Sequence, residues 1–512
     1  MWHFLPLFPV LLSYTYGLPN VVERYVSTGG TCCSLVLNGF SASTKSKLSF
    51  RNSTSFTDQQ SGRQGYWTQQ EASLLPACRL TPTCAEDVSS AVIILAQHNC
   101  HFAIRGGGHM SWAGAANIQD GVTIDLGQMK SVVVNDERTI TQVGPGARWS
   151  DVYSKLSPMD LSVVGGRVSD VGVAGVTLGG GNSFFAPQYG FACDGVANFE
   201  VVLASGRIVN ANLHSHRDLF RALKGGNNNF GVVTRFDFKT FSKGRVWGGF
   251  IVYPYQTLQS QVQALQDFTT ASGAGTDPYA SVINAYVFGT TGPAVIANQY
   301  TYTKPQPYPE ILQNFTGFQP QISNSMRIAD LLNITDEVGS GTPNGFRQLF
   351  GTATIANNAS LFIQVLAIAQ QVFEPLKTVT DFQASVVLQP IPRTITNKGI
   401  TSGGNSLGLD GRDDLIFIDL TIQWSLAQDD PVINAAAELF LRRSIAFAKS
   451  QNLYNQFLYL NYALQAQDPI AGYGRWNQFF LRQVARKYDR RGVFQRLVPG
   501  GFKLWRDDVD CC

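Results

Sequence analysis

The stretch "AIRGGGHMSWAGAANIQDGVTIDL", residues 103–126, sets Arg105 before Gly106, Gly107 and Gly108, with His109, Met110 and Ser111 directly behind them. Three residues without a Cβ let backbone N–H groups come close to a bulky or anionic ligand, so a large ligand is expected against this turn. A second run, "VVGGRVSDVGVAGVTLGGGNSFFAPQYG", carries glycines at 165, 166, 172, 175, 179, 180, 181 and 190. Interior glycine costs about 0.5–1 kcal/mol relative to alanine, so such density needs a compensating gain. Close approach of a ligand supplies it; a set of glycine-rich hairpins is the plainer alternative. Neither run follows the strand, G-x-G-x-x-G loop, helix and acidic residue order of a dinucleotide fingerprint, which disfavours a Rossmann domain.

The elements that hold these turns are readable from periodicity. "CAEDVSSAVIILAQHNC" spaces Val88, Val92, Ile93, Leu95 and Ala96 as an amphipathic helix with acidic residues in its first turn. "HFAIR", "GVTIDL", "SVVVN" and "TITQV" read as short strands, and "ARWSDVYSKL" as a second helix. Further on, "GGFIVYPYQTLQSQVQALQDF" predicts a strand then a helix, and "ASVINAYVFG" and "DLIFIDLTIQW" predict strands. The class is α+β. Tyr253, Tyr255, Phe346 and Phe350 are candidates either to line a pocket or to fill the core.

At 512 residues, with 44% hydrophobic and 15% charged residues, the chain suggests two or three globular domains or one discontinuous pair. A net charge of +3 without a Lys/Arg run argues against a nucleic-acid partner. A small molecule is expected instead. Residues 1–17 read as a signal peptide, since the apolar run is shorter than the ~20 residues of a membrane span. No later segment reads as a membrane span, so no membrane partner is expected once the signal is removed. Sequons at Asn52, Asn314, Asn333 and Asn358 predict exposed loops, and five of eight cysteines fall in the first hundred residues. One or two N-terminal disulfides in a secreted or secretory-pathway protein fit that usage, with connectivity open. No C-x-x-C pair occurs, which makes zinc improbable.

Six ordered motifs, "RGGGHMSWAG", "VTIDLGQMKSV", "VGPGARWSDVY", "SDVGVAGVTLGGG", "YGFACDGVANFEVVLASG" and "LFRALKGGNNNFGVVTRFDF", resemble the FAD-binding (PCMH-type) domain of the vanillyl-alcohol oxidase superfamily. They are most similar to its berberine-bridge-enzyme-like branch among fungal FAD-linked oxidoreductases. The similarity resumes at "FLYLNYA", "GYGRWNQFFLRQVARKYD" and "GVFQRL". It implies a two-subdomain FAD-binding domain over residues 71–243 after a disulfide-containing lead-in at 18–70. A substrate domain follows at 244–451, an antiparallel sheet backed by helices, and a segment at 452–512 returns to the FAD domain.

The resemblance further implies FAD contacts at Arg105, Gly106, Gly107, Gly108, His109, Met110, Gly165, Ser169, Gly172, Gly175, Gly179, Gly180, Gly231, Val233 and Asn461. His109 would bond covalently to a methyl carbon of the flavin ring. Many members form a second link through a cysteine where this chain has Val168, so a single link is expected and a carbohydrate oxidase is less favoured. Gly195 and Arg490 also depart from the family pattern, where asparagine and proline are usual.

For chemistry, the family's Asn-Tyr pair is Asn461-Tyr462, and Tyr462 becomes the candidate proton-transfer residue. The glutamate base of plant members has no counterpart; "SVVLQPIPR" offers Gln389. The implied function is an oxidase acting on an alcohol, amine or activated C–H position of a small natural product in secondary metabolism, with O2 as acceptor. The chain is expected to be a monomer. A redox-neutral isomerase or pericyclase on the same scaffold is the alternative.

Overall fold

The computed structural model describes residues 29–40, 45, 47–61, 65–273, 275–290 and 292–505. The signal-peptide expectation at 1–17 and Cys511 and Cys512 lie outside these residues. Three larger sheets and one two-stranded ribbon, Leu161–Ser162 with Phe241–Ser242, are formed among the described residues. The first, ordered Leu48–Phe50, Cys78–Leu80, Val122–Asp125, Phe102–Arg105, is parallel except for its Leu48–Phe50 edge. Helix Ala85–Gln97 joins two of its strands and buries Val88, Ala91, Val92 and Leu95, the stripe read from its period. The second is antiparallel, ordered Val132–Val134, Ile140–Val143, Val232–Lys239, Val196–Val202, Ile208–Asn212.

The third sheet is antiparallel, has nine strands and occupies the middle of the chain. Its strand Leu415–Trp424 is buried on both faces, for two different reasons. Ile416, Ile418, Leu420 and Ile422 pack into the core that contains helices Leu258–Gly273, Ala359–Phe373 and Asp430–Ser450. Leu415 and Phe417 join the core of the first half of the chain instead. Period-two alternation therefore turns every second residue, Asp419 included, toward the glycine-rich loops.

Residues 452–505 lie against the first half. The Phe102 N–H donates to the Leu497 carbonyl, Tyr473 donates to the Gly225 carbonyl, and Asn229 donates to that of Phe502. A second seam is local: the Gln69 N–H bonds Phe346 O, Gln70 exchanges bonds with Gln348, and the Trp67 indole donates to Thr342 O.

Two expectations change. Residues 359–378 are long and apolar enough to cross a membrane by length and composition. Leu361, Phe362, Val365, Leu366 and Phe373 are instead buried against the third sheet, and burying each is worth roughly 1.5–3 kcal/mol. Of the sequons, Asn52 is an exposed turn residue, but Asn314 and Asn333 sit in helices and Asn358 caps one by accepting from Leu361 N–H. Short polar side chains serve helix starts as well as loops, so the triplet alone does not fix the setting.

Adjacent cysteines on helix Gly29–Gly39 pair with different partners, Cys32 with Cys100 and Cys33 with Cys78. Cys84 and Cys193 have no partner among the described residues. The loops closed span 68 and 45 residues, long enough for each bridge to be worth about 2–5 kcal/mol through the unfolded chain. Non-reducing peptide mapping should recover these two pairs, and reduction should lower the melting temperature by several degrees; an unchanged melting curve would show that the bridges contribute little.

Candidate active site

The two glycine runs meet. A Cβ on Gly107 would lie 2.5 Å from Gly172 Cα, and one on Gly172 would lie 2.6 Å from Gly107 Cα. Each of these two glycines is required by the other's backbone. Protein fills the space beside several others too: Gly165 faces the Trp149 ring and Tyr153 hydroxyl, Gly179 the Asn461 amide, and Gly231 the strand at Val201–Val202. Gly180, at φ +117°, approaches Leu407. Gly175 differs, with nothing within 4 Å of a built Cβ.

Beside the junction runs an open cleft lined among others by Arg105, Gly106, Gly107, Lys130, Arg148 and Asp170. Arg105 is not poised as an unneutralised cation. Its guanidinium donates to Asp125 at 2.7 Å and to Gln59 and Gly65 carbonyls, and stacks over Tyr66 at 4.5 Å. Arg79 donates to the same Asp125 oxygen, so one carboxylate ties two buried arginines. Arg148 reaches the Gly107 carbonyl and pairs with Asp170 at 3.2 Å. The Gly107 and Gly108 N–H groups make no hydrogen bond among the described residues. Gly107 lines the cleft, and an unpaired N–H there fits a phosphate-bearing ligand.

His109 closes the turn that Gly108 makes possible at φ +67°. Its ring stacks on Trp67 at 4.2 Å and 9°. Burial, reinforced by the Arg148 charge, pushes its pKa down to about 3, so the imidazole is neutral at physiological pH. Glu71 braces the following loop by accepting N–H bonds from Gly114 and Ala116. The Met110 carbonyl accepts from Thr68, and its side chain packs on the core.

Aromatic contacts run from Trp67 to Phe350 at 5.3 Å and from Phe350 to Tyr462 at 6.0 Å. Tyr462 is held by a polar group assembled from three distant segments. Arg167 donates to its hydroxyl at 2.7 Å and also to Gln389 Oε1. The hydroxyl donates to the same Gln389 oxygen at 3.3 Å, and Gln389 Nε2 donates to Asp419 at 3.3 Å. Asp419 Oδ1 is buried without a partner. Burial pushes the Asp419 carboxyl up to about 7, against the pull of Arg167. Asn461 donates to the Gly175 and Val176 carbonyls, leaving its own Oδ1 buried and unpaired.

Of the sequence candidates, the structure brings residues 105–110, Gly172, Gly175, Gly179, Asn461 and Tyr462 together. Gly165 and Ser169 pack behind the second run, with the Ser169 N–H on Thr335 O. Gly231 directly precedes, and Val233 lies in, the buried strand Val232–Lys239; of the candidates, Arg105, Gly106 and Gly107 line the cleft. Trp67, Arg167 and Asp419 were not singled out by sequence. The one available signal for Asp419 was a carboxylate within the apolar strand "LIFIDLTIQW".

Residues 76–212 match the FAD binding domain family. The chain is 37% identical over 449 residues to FAD-dependent monooxygenase tpcD of Cochliobolus heterostrophus, covering 86% of this chain and 87% of that one. It is 36% identical over 490 residues to FAD-dependent monooxygenase sdcF of Emericella nidulans, covering 94% and 100%. The fold is shared with 6-hydroxy-D-nicotine oxidase of Arthrobacter nicotinovorans (TM-score 0.72, 20% identity, 88% and 96% covered). It is also shared with xylooligosaccharide oxidase of Myceliophthora thermophila (TM-score 0.72, 19% identity, 92% and 99% covered). The cleft, the paired glycine loops and these similarities agree: the chain belongs to the same family as these fungal proteins named FAD-dependent monooxygenases, carries their FAD binding domain, and is an FAD-dependent enzyme.

Proposed function

We propose that the enzyme oxidises an alcohol, amine or activated C–H position of a small natural product of secondary metabolism and returns the electrons to O2, with FAD held through one covalent bond to His109. The observation that carries this reading is the run of ring contacts His109–Trp67–Phe350–Tyr462, which links a neutral His109 to the Tyr462–Arg167–Gln389–Asp419 group. Bound FAD supplies a two-electron acceptor. The substrate gives up a hydride and a proton, O2 becomes hydrogen peroxide, and the chain's task is to receive the proton and hold the reacting carbon in place. The contacts of residues 452–505 with the first half support assigning them to the FAD-holding unit. The two disulfides support an oxidising compartment.

Tyr462 receives the proton. Burial pushes its hydroxyl above the ordinary tyrosine value, while the Arg167 charge and the bond that Arg167 donates pull the other way. Only the phenolate accepts a proton, so the rate of substrate-driven flavin bleaching should climb with pH through the alkaline range. Tyr462→Phe keeps the ring on Phe350 and Tyr459 and removes only the hydroxyl. Flavin content should hold while bleaching under anaerobic conditions slows by about 10²–10⁴-fold; bleaching at the wild-type rate would remove Tyr462 from this role.

The relatives named monooxygenases support a second reading, in which one atom of O2 enters the product. Turnover under ¹⁸O2 separates the two: label in hydrogen peroxide alone favours the oxidase, and label in the organic product favours the monooxygenase. Product formed without O2 and with the flavin still oxidised would point to an isomerase or pericyclase.

Attachment has its own test. Denatured wild-type protein should stay yellow, and His109→Ala should release all its flavin on denaturation; loss of flavin from the denatured wild type would refute the bond. Asp419 generates a stability prediction. Its folded pKa stands above the ordinary carboxylate value, so its contribution is complete below about pH 4 and is lost as pH rises through about 7. Asp419→Asn should therefore raise the melting temperature, relative to wild type, more at about pH 8 than at about pH 5. Equal shifts at both would indicate an unperturbed carboxyl.

A further inference from the structure

We infer that the substrate carries an anionic oxygen, a phenolate or carboxylate, which Arg167 binds. This rests on the proposed placement of the substrate beside Tyr462.

Arg167 is 8% exposed and forms no ion pair within 4 Å among the described residues. Its Nη2 donates to Tyr462 and to Gln389. Nε and Nη1 make no hydrogen bond among the described residues. Neither is among the fully buried unpartnered atoms, so both donors retain access to open space. A guanidinium has five N–H donors in a planar fork and stays charged at any pH the protein meets. Burying it without a counter-ion is costly, and buried charges are ordinarily paired.

The side chain in the natural position for that counter-ion is Gln389, whose amide oxygen accepts from Arg167 but carries no charge. The nearest carboxyl in the group, Asp419, lies behind Gln389 and bonds its Nε2. Burial favours the neutral form of Asp419, so it compensates Arg167 incompletely near neutral pH. While Tyr462 is the phenol, the form that burial favours, the group thus holds a net positive charge with two further donors beside the side chain proposed to take the substrate proton. An oxyanion matches both the charge and the fork, and would fix one end of the substrate while the carbon to be oxidised faces Tyr462.

The test uses the FAD-loaded protein and calorimetric binding of two matched pairs. At about pH 6, benzoate and neutral benzamide probe a carboxylate site; 2,4-dinitrophenol, ionised at that pH, and neutral 1,3-dinitrobenzene probe a phenolate site. The anionic member of at least one pair should bind more tightly, and the pair that discriminates more strongly identifies the oxygen. Arg167→Met should weaken the anion by about ten- to a hundredfold and leave the neutral partner unchanged. Gln389→Glu preserves shape and supplies the missing charge, so it should weaken the anion similarly even if the methionine variant folds poorly. Anions that bind no better than their neutral partners, or that are indifferent to Gln389→Glu, would overturn the inference. Flavin bleaching by the enzyme's substrate, followed on the same samples, reports separately on the oxidase reading.

Discussion

Two stretches of backbone pass each other at Gly107 and Gly172 too closely for either to carry a side chain. The first stretch ends in His109 and the second begins at Arg167. That contact therefore fixes the distance between the histidine that the family pattern assigns to the flavin and the arginine that grips Tyr462. The rest of the molecule supports it: Asp125 ties down Arg105 at the root of one loop, and Trp149 packs under Gly165 and Gly166 at the root of the other. The C-terminal segment lays Asn461 across Gly179 and brings Tyr462 to Arg167.

The site is assembled from segments that are remote in sequence but fixed by regular structure. Gln389 and Asp419 stand on neighbouring antiparallel strands, where Val387 pairs with Asp419 and Gln389 with Phe417. The two side chains share a face because their positions differ by an even step from a common register. On the opposite face the same strands are wholly apolar, which anchors them against three helices. The polar group is thus built on a surface whose other side cannot shift without opening a core.

Much of this architecture was readable from sequence, and the misses have physical causes. Helix Ala85–Gln97 and strands Phe102–Arg105, Val122–Asp125 and Leu415–Trp424 follow periodicities that burial enforces, so their residues announce them. The glycines misled in part. A missing Cβ signals close approach but not what approaches, and at Gly107, Gly165, Gly172 and Gly179 the neighbour is protein. Arg167 and Asp419 were invisible as partners because strand register and loop crossing are long-range properties. An apolar run such as 359–378 reads alike for a membrane and for a core, and only the surrounding sheet decides between them.

The adjacent cysteines Cys32 and Cys33 bear on how the enzyme can be produced. Each lies one residue from the other's correct partner choice, so a chain oxidised at random could join Cys32 to Cys78 and Cys33 to Cys100 with little change in loop length. Cys78 immediately precedes Arg79, whose guanidinium shares Asp125 with Arg105. An exchanged pair would therefore be felt at the base of the glycine turn and in cofactor uptake, not only in the helix that carries the cysteines. A host that reshuffles disulfides, rather than one that merely oxidises thiols, is what this arrangement demands.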